Sequence, residues 1–284
     1  MSLLDDALAV LDEGIAEHYP SRLFALLSGG DDSLTAVAIA AMHPRFSGAI
    51  HLDTRTGVPE TRAFVEDTCQ RHGWPLEVYE APAGEYERLV LDGYTTRDGR
   101  LHQGFPGGPK SHSTMYYYLK QRQIQAAIKR HKRSRFERIG LVTGIRIAES
   151  ARRERSKMAD RPLHYKDPER SAVWFNPIRD WEKRDCLDFL EQHGIERNPV
   201  SVHCHRSGEC LCGALANHAE LGEIALFYPA VGERYAQLQA EAQARGLERW
   251  QWAGGPTRTR RYSARASKVL PLCTTCQLSL WGDA

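Results

Sequence analysis

Arg22 to Leu27, Arg-Leu-Phe-Ala-Leu-Leu, runs directly into Ser28-Gly29-Gly30-Asp31-Asp32-Ser33, and Ser33 to Met42 continues with Ala, Val and Ile at helical spacing. A short apolar run, a glycine turn and an apolar-periodic segment read as buried strand, tight loop and helix. Such a junction presents the unpaired first N–H groups of a helix at the positive end of its dipole, which suits an anion. Gly29 and Gly30 let the backbone approach phosphate oxygens, and Ser28 and Ser33 add hydroxyls. Asp31 or Asp32 could hold a magnesium ion bridging phosphates, because hard cations prefer oxygen ligands. The plain alternative is a glycine turn with a helix cap. No Gly-Lys-Ser/Thr ends the loop, so it is not a Walker P-loop.

Working outward, residues 2–18 carry apolar groups at three- and four-residue spacing and predict an amphipathic helix before the strand. After it, Gly48 to Leu52 reads as a strand ending in Asp53, Glu60 to His72 as a helix and Leu76 to Tyr79 as a strand. His112 to Arg133 predicts one long helix, Ile139 to Thr143 a buried strand, Val173 to Ile178 another strand, and Trp181 to His193 a helix. Strands alternating with helices predict an α/β fold with a doubly wound parallel sheet. A soft boundary near residue 198 separates residues 1–198 from a smaller, cysteine-containing region, 199–284, with a helix at 214–245.

Composition narrows the class. The chain has 284 residues, 42% hydrophobic and 26% charged, with 38 basic against 36 acidic residues and net charge +2. That length and apolar content support a full core and argue against disorder. Mean hydropathy is −0.50, and no run approaches the roughly 18 apolar residues of a membrane span. Asp5 and Asp6 stand where a signal peptide would be basic, so a cytoplasmic, membrane-free chain is expected. In a reducing compartment the seven cysteines favour metal binding or catalysis over disulfides.

The loop resembles the Ser-Gly-Gly-x-Asp-Ser signature of the PP-loop ATP pyrophosphatases, and three further motifs follow in order. His51-Leu52-Asp53-Thr54 with Gly57, Glu60 and Thr61 is similar to the Asp-Thr-Gly…Glu-Thr segment of the phosphoadenosine-phosphosulfate-reductase-like branch. Thr143-Gly144-Ile145-Arg146-Ile147-Ala148-Glu149-Ser150, with Arg152 and Arg153, resembles its Gly-x-Arg-x-x-Glu-Ser-x-x-Arg element. Asn176-Pro177-Ile178-Arg179-Asp180-Trp181 resembles its Asn-Pro-Ile-x-Asp-Trp element. The resemblance implies an adenine nucleotide alpha hydrolase-like sheet that binds Mg-ATP and cleaves it between the α and β phosphates. Ser28, Gly29, Gly30, Asp31, Asp32, Ser33, Asp53, Thr54, Gly144, Arg146 and Glu149 are then nucleotide-site candidates, with Asp32, Ser33, Arg146 and Arg152 as the catalytic ones. Asp53 could accept a hydrogen bond from a ribose hydroxyl or the adenine edge, or could simply cap a strand end. The arginines offer forked donors for phosphate, or form a solvated helix face. Lys120 and His112 resemble positions of the family's middle helix and could equally face solvent.

Cys204, Cys210 and Cys212 cluster in one segment, and Cys273-Thr274-Thr275-Cys276 completes the set. Four thiolates suit tetrahedral zinc or a [4Fe-4S] cluster, spacing does not choose between them, and unligated thiols are the plain alternative. Cys204, Cys212, Cys273 and Cys276 are the expected ligands, with Cys210 as the substitute for Cys212. Cys69 and Cys186 fall in helical patterns and read as core residues. The Glu-Cys-Gly-Leu/Ile-His type tail of true sulfonucleotide reductases is missing, although Glu209-Cys210 echoes half of it. The resemblance therefore points first to the ATP pyrophosphatases of DNA phosphorothioation, with a cysteine desulfurase as the implied partner. Sulfonucleotide reductase, tRNA thiolase and a zinc-stapled nucleic-acid-binding module are the alternatives. Basic runs at 129–135 and 258–265, with Trp250, Trp252 and Tyr262 as stacking candidates, fit DNA contact or a solvated basic face.

Overall fold

The computed structural model describes residues 2–95, 99–149, 161–167 and 170–253. Arg152, Arg153, Cys273, Cys276, Tyr262 and the basic run at 258–265 lie outside the described residues. Two compact units are distinguished. The first comprises residues up to Asp53, Pro59–Glu80 and Gln123–Ser201. The second takes Thr54–Val58, Ala81–Arg122 and the described residues from Val202 onward.

In the first unit, α1 (Leu3–His18), β1 (Arg22–Leu26), α2 (Asp31–Met42), β2 (Phe46–Asp53), α3 (Pro59–Arg71) and β3 (Leu76–Glu80) alternate as expected. β6 (Ile139–Val142), β7 (His164–Lys166) and β8 (Ala172–Phe175) complete a sheet of order β3-β2-β1-β6-β8-β7. All neighbours pair in parallel except β7, which runs antiparallel to β8 at the edge. This is the doubly wound parallel α/β sheet predicted from the alternation. The winding reverses between β1 and β6, and a crevice outside the carboxyl ends of those strands is the standard place for a ligand in such a sheet.

α2 explains why the crevice is firmly built. Leu34, Ala36, Val37, Ile39 and Ala40 are all fully buried, so the helix is apolar around its whole circumference rather than along one stripe. It packs on the sheet and against α1 and the helix Lys183–Gln192. Its small residues allow that approach, and Pro44 follows its C-cap, His43. Cys69 and Cys186 join the same core; burial pushes their thiols up, to about 11 and about 12 respectively.

The expected helix over 112–133 is observed as α5 (Gly108–Tyr116), a π-helical segment Tyr117–Gln121 and α6 (Arg122–His131). One wider turn interrupts the ladder without ending the helix. The helix expected over 214–245 is two, His218–Phe227 and Pro229–Ala244. Pro229 has no N–H to continue the first and opens the second. The strand expected to reach Ile178 stops at Phe175, before Asn176-Pro177. β7, the helices α4 (Glu85–Leu91) and Pro199–Cys204, and the hairpin β4 (Tyr94–Thr95) and β5 (Leu101–His102) are too short to show a period in sequence. Among the described residues no helix is long and apolar enough to cross a membrane.

Candidate functional site

The loop after β1 is tied together by its two serines. Ser28 donates to Ser33 Oγ twice, from its backbone N–H at 3.1 Å and its hydroxyl at 3.0 Å. Ser33 Oγ in turn donates to the Gly30 carbonyl at 2.9 Å. Gly29 has φ of +79°, and a Cβ there would stand 2.7 Å from Thr61 Cγ2 and 3.0 Å from Asn198 Nδ2. Asn198 donates to the Gly29 carbonyl at 2.9 Å, fixing the far side of the turn. The loop is thereby preorganised over the first turn of α2, whose N–H groups form an anion seat.

Asp31 and Asp32 occupy that first turn, where acids favour the helix dipole but oppose an incoming phosphate. Three cations meet them. Arg197 forks onto Asp31 from Nε and Nη2, Lys183 Nζ lies 2.9 Å from Asp31 Oδ2 and 3.1 Å from Asp32 Oδ1, and Arg146 Nε lies 2.9 Å from Asp32 Oδ2. Burial alone would raise the Asp31 carboxyl, but the hydrogen bond from Arg197 and the charge of Lys183 outweigh it and hold it below its ordinary value. Lys183 is raised by the two acids against the opposing effect of its own burial. The surplus cation leaves the cluster suited to a phosphate.

This arrangement corrects two expectations. Asp31, almost fully buried, has its oxygens committed to Arg197 and Lys183 and does not fit as a magnesium ligand; Asp32 is likewise engaged by Lys183 and Arg146. Arg146 is only 3% exposed and also donates to the Trp181 carbonyl at 3.4 Å. It therefore positions Asp32 rather than reaching out as a forked phosphate donor. Gly144 sits where a Cβ would come within 2.5 Å of the Asp32 carbonyl carbon and oxygen and of Ser33 N. The segment after β6 thus rests directly on the start of α2. Thr143 and Asn176 hold neighbouring strand ends together at 2.6 Å.

Lys183, Arg197 and Asn198 were missed by sequence reasoning. Lys183 carried a signal: with Arg184 it puts two cations in the first turn of a helix, against the dipole. Asn198 had one too, as the residue before Pro199 whose Oδ1 accepts from Val200 N. Arg197 had none. Asp53, the expected ribose contact, accepts from Arg62 Nη1 at 3.0 Å, and Arg62 also holds Glu66 and Glu80. Glu149 is exposed at the end of a single 3₁₀ turn, Ile147–Glu149.

Thr54 is the third correction. Expected at the nucleotide, it is buried in the second unit, where its N–H donates to Glu209 Oε1 at 3.1 Å and its hydroxyl to the Glu209 carbonyl at 2.7 Å. Glu209 is itself buried and ion-paired with Lys120. Lys120 therefore does not face solvent freely: burial would lower its pKa, but the Glu209 carboxylate and then Cys210 outweigh burial and raise it. Tyr235 donates to the Thr56 and Leu211 carbonyls, both at 2.8 Å, and Tyr86 to the Cys212 carbonyl at 2.8 Å. This polar lattice braces Glu209-Cys210-Leu211-Cys212.

Cys212 donates its S–H to Cys210, and that bond, with help from Lys120, holds the Cys210 thiol below its ordinary value against burial. The same bond, with burial, raises Cys212. Cys204 is buried, and burial raises it. Among the described residues, these cysteines do not bring three ligand atoms close enough to share one zinc ion. A [4Fe-4S] cluster spreads its thiolates over several irons and does not demand that spacing. Two of the four expected ligands, Cys273 and Cys276, lie outside the described residues, and soft thiolates such as Cys204, Cys210 and Cys212 suit zinc and an iron–sulfur cluster alike. Trp252, expected as a base-stacking residue, is 2% exposed and donates from Nε1 to the Leu211 carbonyl at 2.7 Å, so it is unavailable for stacking.

The model of the phosphoadenosine phosphosulfate reductase domain matches residues 22–212, well over half of the chain. An adenosine 5'-phosphosulfate reductase of Rhizobium tropici is 25% identical over 162 residues, covering 56% of this chain and 78% of that protein. Among solved structures, phosphoadenylyl-sulfate reductase from Candida auris, in a phosphate complex, gives a TM-score of 0.47 at 15% identity, covering 70% of this chain and 83% of that one. The U34-tRNA thiolase NcsA from Methanococcus maripaludis, with its [4Fe-4S] cluster, gives 0.45 at 12% identity, covering 99% and 86%.

Proposed function

Since the chain belongs to the phosphoadenosine phosphosulfate reductase domain family, we propose that it is an ATP pyrophosphatase that adenylates a nucleic-acid acceptor for sulfur insertion, with the DNA backbone as that acceptor. The observation that carries this reading is the serine-tied loop at the sheet's switch point, seated on the α2 N-terminus and flanked by Lys183, Arg197 and Arg146.

An acceptor oxygen attacks the α-phosphorus of ATP; the bond from that phosphorus to the bridging oxygen breaks, and pyrophosphate leaves with the electron pair. Hydrosulfide, released from the persulfide of a cysteine desulfurase partner by a thiol reductant that becomes a disulfide, then attacks the activated phosphorus, and AMP departs with the acceptor oxygen. This chain contributes mostly positioning and charge. The first turn of α2 and Lys183 bind the phosphates, Ser28 and Ser33 keep the loop in shape, and Arg197 and Arg146 hold the two aspartates aside. Magnesium, when bound, would neutralise phosphate charge; the cluster, held by cysteines of the second unit, would supply a sulfur or structural site.

DNA as acceptor is supported by the basic run 129–135. Lys129, Lys132, Arg133 and Arg135, with Arg170, line an open cavity of about 600 Å³ suited to phosphate contacts. A second reading, reduction of a sulfonucleotide, is favoured by the depressed thiol of Cys210 beside Lys120.

The test is incubation of anaerobically purified protein with magnesium and α-labelled ATP, with and without duplex DNA. AMP and pyrophosphate, lost in Ser33→Ala, are expected. ADP and phosphate would overturn the reading, and sulfite released from adenosine phosphosulfate with a dithiol reductant and without ATP would establish the second.

A further inference from the structure

At the far end of α1 from its start at Leu3, three donor groups converge that neither the nucleotide loop nor the cysteines use. His18 Nε2 lies 3.0 Å from His164 Nδ1, although the residues are 146 apart in sequence. Glu17 reaches both rings: its Oε1 lies 3.4 Å from His18 Nδ1 and its Oε2 3.8 Å from His164 Nδ1. We propose that His18, His164 and Glu17 form a binding site for a borderline divalent cation of the zinc class, tying the C-terminus of α1 to the edge strand β7.

Four observations support the site. First, two imidazoles and a carboxylate within 4.8 Å of one another are the donor set that zinc-class ions take, with water completing the sphere. Two nitrogens bound at about 2.0–2.1 Å to one zinc would stand about 3.3 Å apart at the tetrahedral angle. The observed separation needs only a few tenths of an ångström of adjustment. Second, buried polar atoms are normally hydrogen-bonded, yet His18 Nδ1 is buried with no hydrogen-bond partner among the described residues.

Third, the backbone has been cleared for this approach. A Cβ at Gly14 would fall 2.5 Å from Phe175 Cε1 and 2.7 Å from His164 Cγ. Only a glycine lets α1 lie this close to the His164 ring. Fourth, His18 is in the last turn of α1, where the carbonyl end of the dipole favours a cation. Among the charges acting on His18, that of Glu17 is the largest and attracts a metal; those of Lys166 and Arg138 are weaker.

The site is tested with the full-length chain and cobalt(II) as the probe. Cobalt held by nitrogen and oxygen shows visible ligand-field bands without the near-ultraviolet thiolate charge-transfer band, which separates it from cobalt on the cysteines. Wild type should bind one nitrogen/oxygen-type equivalent that His164→Gln lacks, with thiolate-type binding unchanged. Glu17→Gln should weaken it by about tenfold or more. Zinc should raise the melting temperature of wild type more than that of His164→Gln. Glu17 is 63% exposed, so Glu17→Gln should fold even where a histidine variant does not. Equal nitrogen/oxygen-type binding in wild type and both variants, or cobalt bound with thiolate bands alone, would overturn the proposal.

Discussion

Asp31 and Arg197 meet through two parallel hydrogen bonds, Nε to Oδ1 at 3.0 Å and Nη2 to Oδ2 at 2.9 Å. Because the Asp31 side chain is 2% exposed, its charge depends on this fork and on Lys183. Arg197→Ala should cost about 1.5–3 kcal/mol in urea unfolding, the range for a hydrogen bond to a charged group. Arg197→Lys should recover part of that, since it restores charge without the fork. The folded-state pKa of Asp31 is depressed. Its contribution is therefore complete above the unfolded carboxylate value, near 4, and fades as pH falls from there through the folded value. The stability gap between wild type and Asp31→Asn should narrow only below about pH 4.

Ser33 Oγ accepts two bonds and donates one within the loop after β1. Ser33→Ala removes all three, so nucleotide turnover should fall by about 10²-fold or more, the usual scale for losing a preorganised donor set. The far-ultraviolet circular dichroism should be unchanged. Wild-type turnover in this variant would remove the loop as the active site.

Gly144→Ala places a methyl group 2.5 Å from the Asp32 backbone and Ser33 N. The strand end and the α2 N-terminus must then separate, costing about 1–3 kcal/mol as overpacking does. ATP affinity, read by equilibrium dialysis, should weaken in parallel, because the displaced groups are those that the proposed function sets against the phosphates.

Lys120 and Glu209 form an ion pair in which Glu209 is only 3% exposed. Lys120→Met leaves a buried carboxylate with the Thr54 N–H on Oε1 and no counter-charge. Destabilisation of about 3–5 kcal/mol is expected by thermal or urea unfolding. The double variant Lys120→Met/Glu209→Gln should regain much of it, since the uncompensated charge is then gone.

The strand-loop-helix at 22–42 was legible because its signal is local: an apolar run, glycines, then helical spacing. The same is true of the alternation that predicts the sheet. Lys183, Arg197 and Asn198 were not legible as a group, since their roles depend on packing over 150 residues away in sequence. The reverse error was made at Thr54 and Trp252. Each residue type suits a ligand, but in the fold each is buried and spends its hydrogen bonds on the Glu209–Leu211 segment.

By itself the sequence determined the fold class and the strand-loop-helix junction at 22–42, because hydrophobic periodicity and glycine turns act over a few residues and dictate strand, loop and helix directly. Tertiary structure alone decided which charges meet. Whether an aspartate binds magnesium or an arginine, and whether a lysine is solvated or buried against Glu209, depends on which distant elements bury it. Burial sets the cost of leaving a charge unpaired, and no local pattern records it.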